Sequence, residues 1–303
     1  MKRVTIKGLN LLPLPIIKPI ISTLHRSNVP LFPSFFARHY TIKNHDSLKI
    51  PNSDIRLTND ASSISRLLYF FGVEGYEKDE IELWQSLCRK AENICEIGGN
   101  IGCFTVFGAS VTPETPYTVY EPNIHSYTSI CKNGDINNLT NLTIIQAAVV
   151  GDPDCHEITL HLPTEESNLR ATGAYISTAE SINRPSNTAL QVPAVFGGDI
   201  SDIDLLKIDA EGAEHQILES MTKNVSDSRP IMLIEVRRNT QQLRSWIHDF
   251  VSQNQYEIWA LSTPKLKRVA VEKIMDVVLQ EEFLTRDVLL LPTEKIDQIS
   301  DFC

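Results

Sequence analysis

The sequence predicts an α/β protein built on a doubly wound, mostly parallel sheet of seven strands, preceded by an N-terminal extension. Three observations lead there. From residue 92 onward, short apolar runs of strand length alternate with segments of helical period. Most runs stop at a turn or an acid and are followed by a helix-length segment, so consecutive strands are joined by crossovers rather than hairpins. The chain has 303 residues, 42% of them hydrophobic and 22% charged, enough to bury a large core. The expected organisation is an arm and cap over residues 1–90 and a main domain over 91–303, with an insertion or lid at about 151–200.

The N-terminal segment differs chemically from the rest. Residues 1–50 carry eight Lys/Arg and one acid, Asp46, while the whole chain holds 28 Lys+Arg against 38 Asp+Glu, net −10. An acidic body argues against nucleic acid as a partner. The apolar stretch Leu9–Leu24 is interrupted by Pro13, Pro15, Lys18 and Pro19, which spoils it as a transmembrane span, and no small-residue cleavage site closes it as a secretory signal. The arm is expected to cover an apolar flank, a second subunit or an acceptor pocket. Peripheral membrane contact and homo-oligomerisation stay open, and the expected location is cytoplasmic. Six cysteines without a C-x-x-C pair predict reduced, mostly buried thiols, and three N-x-S/T matches are read as coincidence.

Asn93–Ile97 reads as the first strand, followed by the turn Gly98-Gly-Asn-Ile-Gly102 and an apolar helix. Tyr117–Tyr120 is the second, ending at Glu121-Pro122. Leu142–Val150 is nearly all apolar, as a strand covered on both faces should be. Glu157–Leu162 alternates like a half-buried strand, and 165–187 is polar enough to be a loop. Asp204–Ile208 leads to Asp209 and a helix from Glu211 to about Met221. Ile231–Ile234 leads to Glu235 and a helix from about Thr240 to Asn254. Tyr256–Leu261 and Val288–Leu291 close the series as antiparallel neighbours.

In such sheets the ligand lies beyond the carboxyl ends of the strands, which places the glycine turn, Glu121, Asp209 and Glu235 together. Glycines let a ligand approach the backbone, and Glu121, 19 residues past Gly102, is placed to accept from ribose hydroxyls. The turn lacks the third glycine of a dinucleotide site and has Glu96 before it, a poor setting for pyrophosphate and a good one for a cationic adenosyl cofactor, S-adenosylmethionine. Methyl transfer to an alcohol needs a group to take the proton, and Asp209 and Glu235 are the candidate bases. No metal is assigned.

Glu96-Ile-Gly-Gly-Asn-Ile-Gly-Cys-Phe-Thr105, Tyr120-Glu-Pro122 and Leu206-Lys-Ile-Asp-Ala-Glu-Gly-Ala-Glu214 resemble the FkbM-type methyltransferase family, in the right order over residues 92–262. The resemblance implies a class I, Rossmann-like methyltransferase fold with strand order 3-2-1-4-5-7-6, the seventh antiparallel. It also implies O-methylation of a small molecule such as a sugar, glycolipid or polyketide. Glu96, Gly98, Asn100, Gly102, Glu121 and Asp209 are the expected cofactor residues, and Asp209 and Glu235 the catalytic ones. Two departures stand out: Glu96 where the family usually has Asp, and Arg237 where it often has His. Glu211 and Glu214 are expected in the first turn of a helix, Glu211 as a pocket residue and Glu214 as structural; Arg237 and Arg238 are expected in solvent. The competing classes are an inactive cofactor-binding module on the same fold and a nicotinamide oxidoreductase, against which the missing glycine speaks.

Overall fold

The computed structural model describes residues 45–162, 175–176 and 188–303, apart from positions 61, 239, 263, 278 and 284, together with positions 19, 23, 40, 42 and 43. The expected N-terminal arm and most of the polar segment 165–187 lie outside these residues. A short hairpin opens the described chain, β1 (Ser47–Lys49) against β2 (Arg56–Thr58), followed by α1 (Ser63–Phe71) and α2 (Lys78–Cys88). Ser62 caps α1 by accepting from the Ser65 N–H at 3.1 Å.

The main sheet is formed by β3 (Ile94–Ile97), β4 (Tyr117–Tyr120), β5 (Leu142–Ile145), β10 (Leu205–Ile208), β11 (Ile231–Glu235), β12 (Tyr256–Ser262), β13 (Lys265–Val269) and β14 (Asp287–Pro292). Its order is β13-β12-β14-β11-β10-β3-β4-β5. The parallel pairs are β4/β5, β3/β4, β3/β10 and β10/β11, and β14 runs antiparallel to both of its neighbours. This is the class I methyltransferase order with one strand added. The sheet has eight strands rather than seven, because the chain after β12 turns back at once and pairs as β13, Ser262 facing Lys265. Leu266 and Val269, three positions apart, point to opposite faces of the sheet and join the two core clusters, while Lys265, Lys267 and Arg268 stay exposed, as on an edge strand.

Two other expectations are corrected. Leu142–Val150 is not one buried strand: β5 ends at Ile145 at the sheet edge, where its residues stay half exposed, and Ala148–Val150 forms β6 in a second sheet. Edge position explains the exposure, since only one side of β5 has a partner. The second sheet has the order β6-β9-β7-β8, from β7 (Glu157–Leu162), β8 (Tyr175–Ile176) and β9 (Thr188–Phe196), so the described part of the 151–200 insertion contains strands. The helix after β10 begins at Glu214 rather than Glu211, because Glu211 (φ 54°) and Gly212 (φ 112°) take positive φ and form a loop.

Helices cover both faces of the sheet. On one side α3 (Cys103–Ser110), with Phe104, Val106 and Phe107, packs with Trp84 of α2 and with Leu205 and Leu233. Gly108 permits this approach, since a Cβ there would meet Trp84 Nε1 at 2.7 Å and the Tyr117 ring at 2.9 Å. On the other side α5 (Glu214–Ser228) and α6 (Gln241–Asn254) bury Ile217, Met221, Ile247 and Phe250 against Leu206, Ile208 and Ile234. The buried positions recur at helical spacing, and each such side chain contributes about 1.5–3 kcal/mol when removed from water. On the same side as α3, α4 (Ile124–Ile136) packs along α3, β5 and β2 and adds Ile130 to that cluster; it is capped by Asn123, which accepts from the His125 N–H at 3.0 Å. Among the described residues no helix is long and apolar enough to cross a membrane.

Candidate active site

The glycine turn is shaped by contact with two strands. The Gly98 and Gly99 N–H groups donate to the Tyr120 carbonyl at 2.9 and 3.2 Å, which folds the end of β3 over β4. Gly98 has φ 90°, and a Cβ on it would lie 1.9 Å from the Asp209 carbonyl oxygen, so no other residue fits where β3 crosses the end of β10. Gly99 faces Val119 and Ile130 in the same way. Asn100 follows with φ 50°, and its N–H donates to Glu121 Oε2 at 2.7 Å. The other Glu121 oxygen accepts from the Asn123 N–H at 2.8 Å. Burial pushes the Glu121 carboxyl up to about 8 in spite of these two donors. Each oxygen keeps a second lone pair, and Asn100 Oδ1 is buried with no partner among the described residues. A backbone cradle, an under-satisfied amide and a destabilised carboxylate therefore converge at one strand end, and they fit a ligand with hydroxyl groups.

Lys207 sits under this turn. In register beside Glu96, it is 4% exposed, with Nζ 4.6 Å from the centre of the Phe104 ring and 3.5 Å from Asp209 Oδ2. Burial disfavours its charge, but Asp209, Glu96, Asp287 and Glu77 together outweigh that and hold it protonated. Glu96 is buried and accepts from Tyr117 Oη at 2.6 Å and Thr105 Oγ1 at 2.7 Å; burial raises its pKa, and Lys207 and these donors counter the rise. Glu96 thus lies behind the turn and braces it. From the N-terminal side the α1–α2 connection brings Tyr76 and Glu77. Glu77 is exposed at the surface, yet the crowding of surrounding atoms lifts its carboxyl to about 7, with Lys207 opposing the rise.

Asp209, Glu214 and Glu235 meet at the ends of β10 and β11, with one carboxylate oxygen of each within 4.8 Å of the others. Glu214 Oε1 accepts the Ala210 and Gly212 N–H groups, both at 3.0 Å, and so closes the loop before α5. Glu235 accepts from Arg237 Nε at 2.7 Å, and Arg237 Nη2 reaches Glu211 at 2.6 Å. Desolvation and the neighbouring Asp209 raise the Glu235 pKa, while Arg237 opposes the rise. Asp209 has a side chain 41% exposed and, among the described residues, one ion-pair contact, to Lys207, which leaves it the more available of the two acids.

The structure thus brings Gly98, Asn100 and Glu121 together at one end of the cleft and Asp209 and Glu235 at the other, with Gly102 (φ 83°) packed on Ile130 at the start of α3. Two readings change. Arg237 is not solvated but bridges two carboxylates, because Glu211 lies in a loop that folds toward β11. Glu214 is not merely a first-turn acid, since its carboxylate joins the cluster. Sequence reasoning missed Lys207, Tyr76, Glu77 and Asp287; the one available signal was a lysine inside an otherwise apolar strand, Leu205-Leu-Lys-Ile208, which must find acids if it is to be buried. Among the described residues the six cysteines are unpaired, with Cys88, Cys95 and Cys103 buried and Cys303 exposed.

A family model described as Methyltransferase FkbM domain matches residues 96–258, a little over half of the chain. Among solved structures, a Methyltransferase FkbM from Methylobacillus flagellatus KT is 15% identical with TM-score 0.41, over 66% of this chain and 43% of its own. The chain therefore spans less than half of that protein. A putative O-methyltransferase from Klebsiella pneumoniae is 13% identical with TM-score 0.41, over 90% of this chain and 96% of its own. The O-methyltransferase TomG from Streptomyces achromogenes, solved in complex with SAM, is 14% identical with TM-score 0.38, over 71% of this chain and 79% of its own. No curated protein matches the sequence significantly.

Proposed function

The chain belongs to the FkbM methyltransferase family, and we propose that it transfers a methyl group from S-adenosylmethionine to a hydroxyl of a small molecule such as a sugar, glycolipid or polyketide. The observation that carries the reading is the placement of two unlike half-sites on adjacent strand ends: the glycine turn with Glu121 beside β4, and Asp209 with Glu235 beyond β10 and β11. The cofactor supplies an electrophilic methyl group on a sulfonium. Gly98, Asn100 and Gly102 shape its cradle, Glu121 accepts from its hydroxyls, and Glu96 holds the turn from behind.

Asp209 takes the proton of the acceptor hydroxyl. It is accessible, and Lys207 Nζ lies 3.5 Å from its Oδ2. Glu235 is committed to Arg237 and positions the acceptor side. General-base help is worth about 10²–10⁴-fold in rate. Asp209→Asn should therefore lower methyl-transfer turnover by that factor across a panel of hydroxylated sugars and polyketides, with S-adenosylhomocysteine affinity nearly unchanged. Glu235→Gln should lower it less and raise KM more. Wild-type turnover in Asp209→Asn would remove the base assignment, and a wild-type protein that binds S-adenosylhomocysteine but methylates nothing in the panel would favour an inactive cofactor-binding module.

A further inference from the structure

Beyond Glu235 the end of β11 opens into a cavity of ≈ 250 Å³ lined by four arginines, Arg237, Arg238, Arg244 and Arg286, with Val236 and Leu279 as its apolar wall. They come from three separate stretches of chain, so the cluster is a product of the fold. Three of the guanidiniums have carboxylate partners: Arg237 with Glu235 and Glu211, Arg238 with Glu281, and Arg286 with Glu235 at a loose 3.5 Å. Arg244 differs. It is 3% exposed, its Nη1 donates to the Ile274 and Val277 carbonyls at 2.5 and 3.1 Å, and its Nη2 donates to the Arg237 carbonyl at 3.3 Å. Among the described residues no carboxylate comes within ion-pair distance of it, and its Nε–H has no hydrogen-bond partner. Burial disfavours its charge, and Asp276, acting from a distance, opposes that only in part.

A buried guanidinium with an unanswered donor is costly by itself, because removal from water is not offset by a partner. The Nη atoms of Arg244 are taken by main-chain carbonyls, so it anchors the wall, and the forks open to the two oxygens of a carboxylate or phosphate are those of Arg238 and Arg286, whose side chains are 63% and 58% exposed. The cavity adjoins the candidate active site, since two of its lining residues, Arg237 and Arg286, pair with Glu235 at 2.7 and 3.5 Å. A group held there lies on the acceptor side of the cleft, away from the glycine turn. We infer that the methyl acceptor carries an oxyanion, a carboxylate or a phosphate, and that the arginine cavity at the end of β11 receives it. This rests on the methyl-transfer reading for the word acceptor, but the anion site itself does not.

Binding of glucuronate, glucose 6-phosphate and neutral glucose to the full-length protein, measured by calorimetry at matched ionic strength, tests the inference. At least one of the two anions should bind, glucose should not, and Arg286→Gln and Arg244→Gln should each weaken that binding five-fold or more. Arg244 is buried, so its variant could fold poorly; Arg286 is 58% exposed and decides the matter alone. A preference for one anion separates a phosphate-bearing acceptor from a carboxylate-bearing one. If neither anion binds better than glucose, or if Arg286→Gln binds as well as wild type, the inference is overturned. S-adenosylhomocysteine titrated in parallel keeps the readings apart: anion binding without it would sink the methyl-transfer reading and leave the site, and the reverse would sink only the site.

Discussion

Around β3 and β4 the cleft keeps its shape with main-chain groups: Gly98 and Gly99 N–H on Tyr120 O, and Asn100 and Asn123 N–H on Glu121. Around β10, β11 and β14 the same cleft is held by ions, with Lys207 among four acids and Arg237 between Glu211 and Glu235. The first half fixes a position and admits little variation, because backbone geometry leaves few choices. The second half fixes a charge balance, which side chains can rearrange. A cofactor common to many enzymes suits the first, and an acceptor that differs among them suits the second.

Gly98 belongs to both halves, since it donates to Tyr120 and leaves no room for a Cβ beside the Asp209 carbonyl, so its replacement should break the comparison outright. With a Cβ 1.9 Å from that oxygen and a φ of 90°, Gly98→Ala should cost roughly 2–4 kcal/mol of stability. Denaturant unfolding would show it, together with loss of S-adenosylhomocysteine binding. A variant of wild-type stability would mean that the two halves are not mechanically joined.

A narrower change should sharpen the difference. Glu121→Ala removes from the backbone half only an acceptor for two hydroxyls, and each such bond is worth roughly 0.5–1.5 kcal/mol. S-Adenosylhomocysteine affinity should fall at least ten-fold while anion binding at the arginine cavity holds. Unchanged cofactor affinity would remove Glu121 from the site.

A further test is a slope. The folded protein holds Glu121 protonated up to about 8, whereas the unfolded chain releases that proton near the ordinary value of 4.5. Between these limits the native state binds more protons, so stability falls as pH rises, by up to about 1.4 kcal/mol per pH unit for this group. Urea midpoints of the ligand-free protein should drop from pH 5 to pH 8, and Glu121→Gln should flatten the drop. An identical slope in the variant would assign it to other buried acids.

The sequence made the backbone half readable because its parts are contiguous: a strand, five turn residues, a helix, and one acid at the end of the next strand. That the sheet is mostly parallel followed from the same local signals and its order from the family resemblance, with β13 missed because a hairpin strand on an edge has no helix to announce it. The ionic half was only partly legible. Asp209 and Glu235 could be placed by the strand-end rule, but Arg237 meets Glu211 26 positions away, and Asp287 reaches Lys207 from the far end of the chain. Those meetings depend on strand register and on where α5 begins, and a shift of three residues in that start was enough to put Glu211 in the wrong place.

The protons held by Glu121 and Glu77, whose carboxyls titrate near 8 and 7, have one more consequence. A cation entering the cleft favours the ionised acids and drives those protons out into the buffer, so its capture is an exchange of one positive charge for another. A neutral species left after methyl transfer offers no such exchange. Affinity for the sulfonium donor should therefore climb between pH 6 and 8 more steeply than affinity for its neutral product, and the heat of donor binding should change with the buffer's own enthalpy of ionisation. The cleft would then let go of what it has used because the charge that displaced its protons is gone.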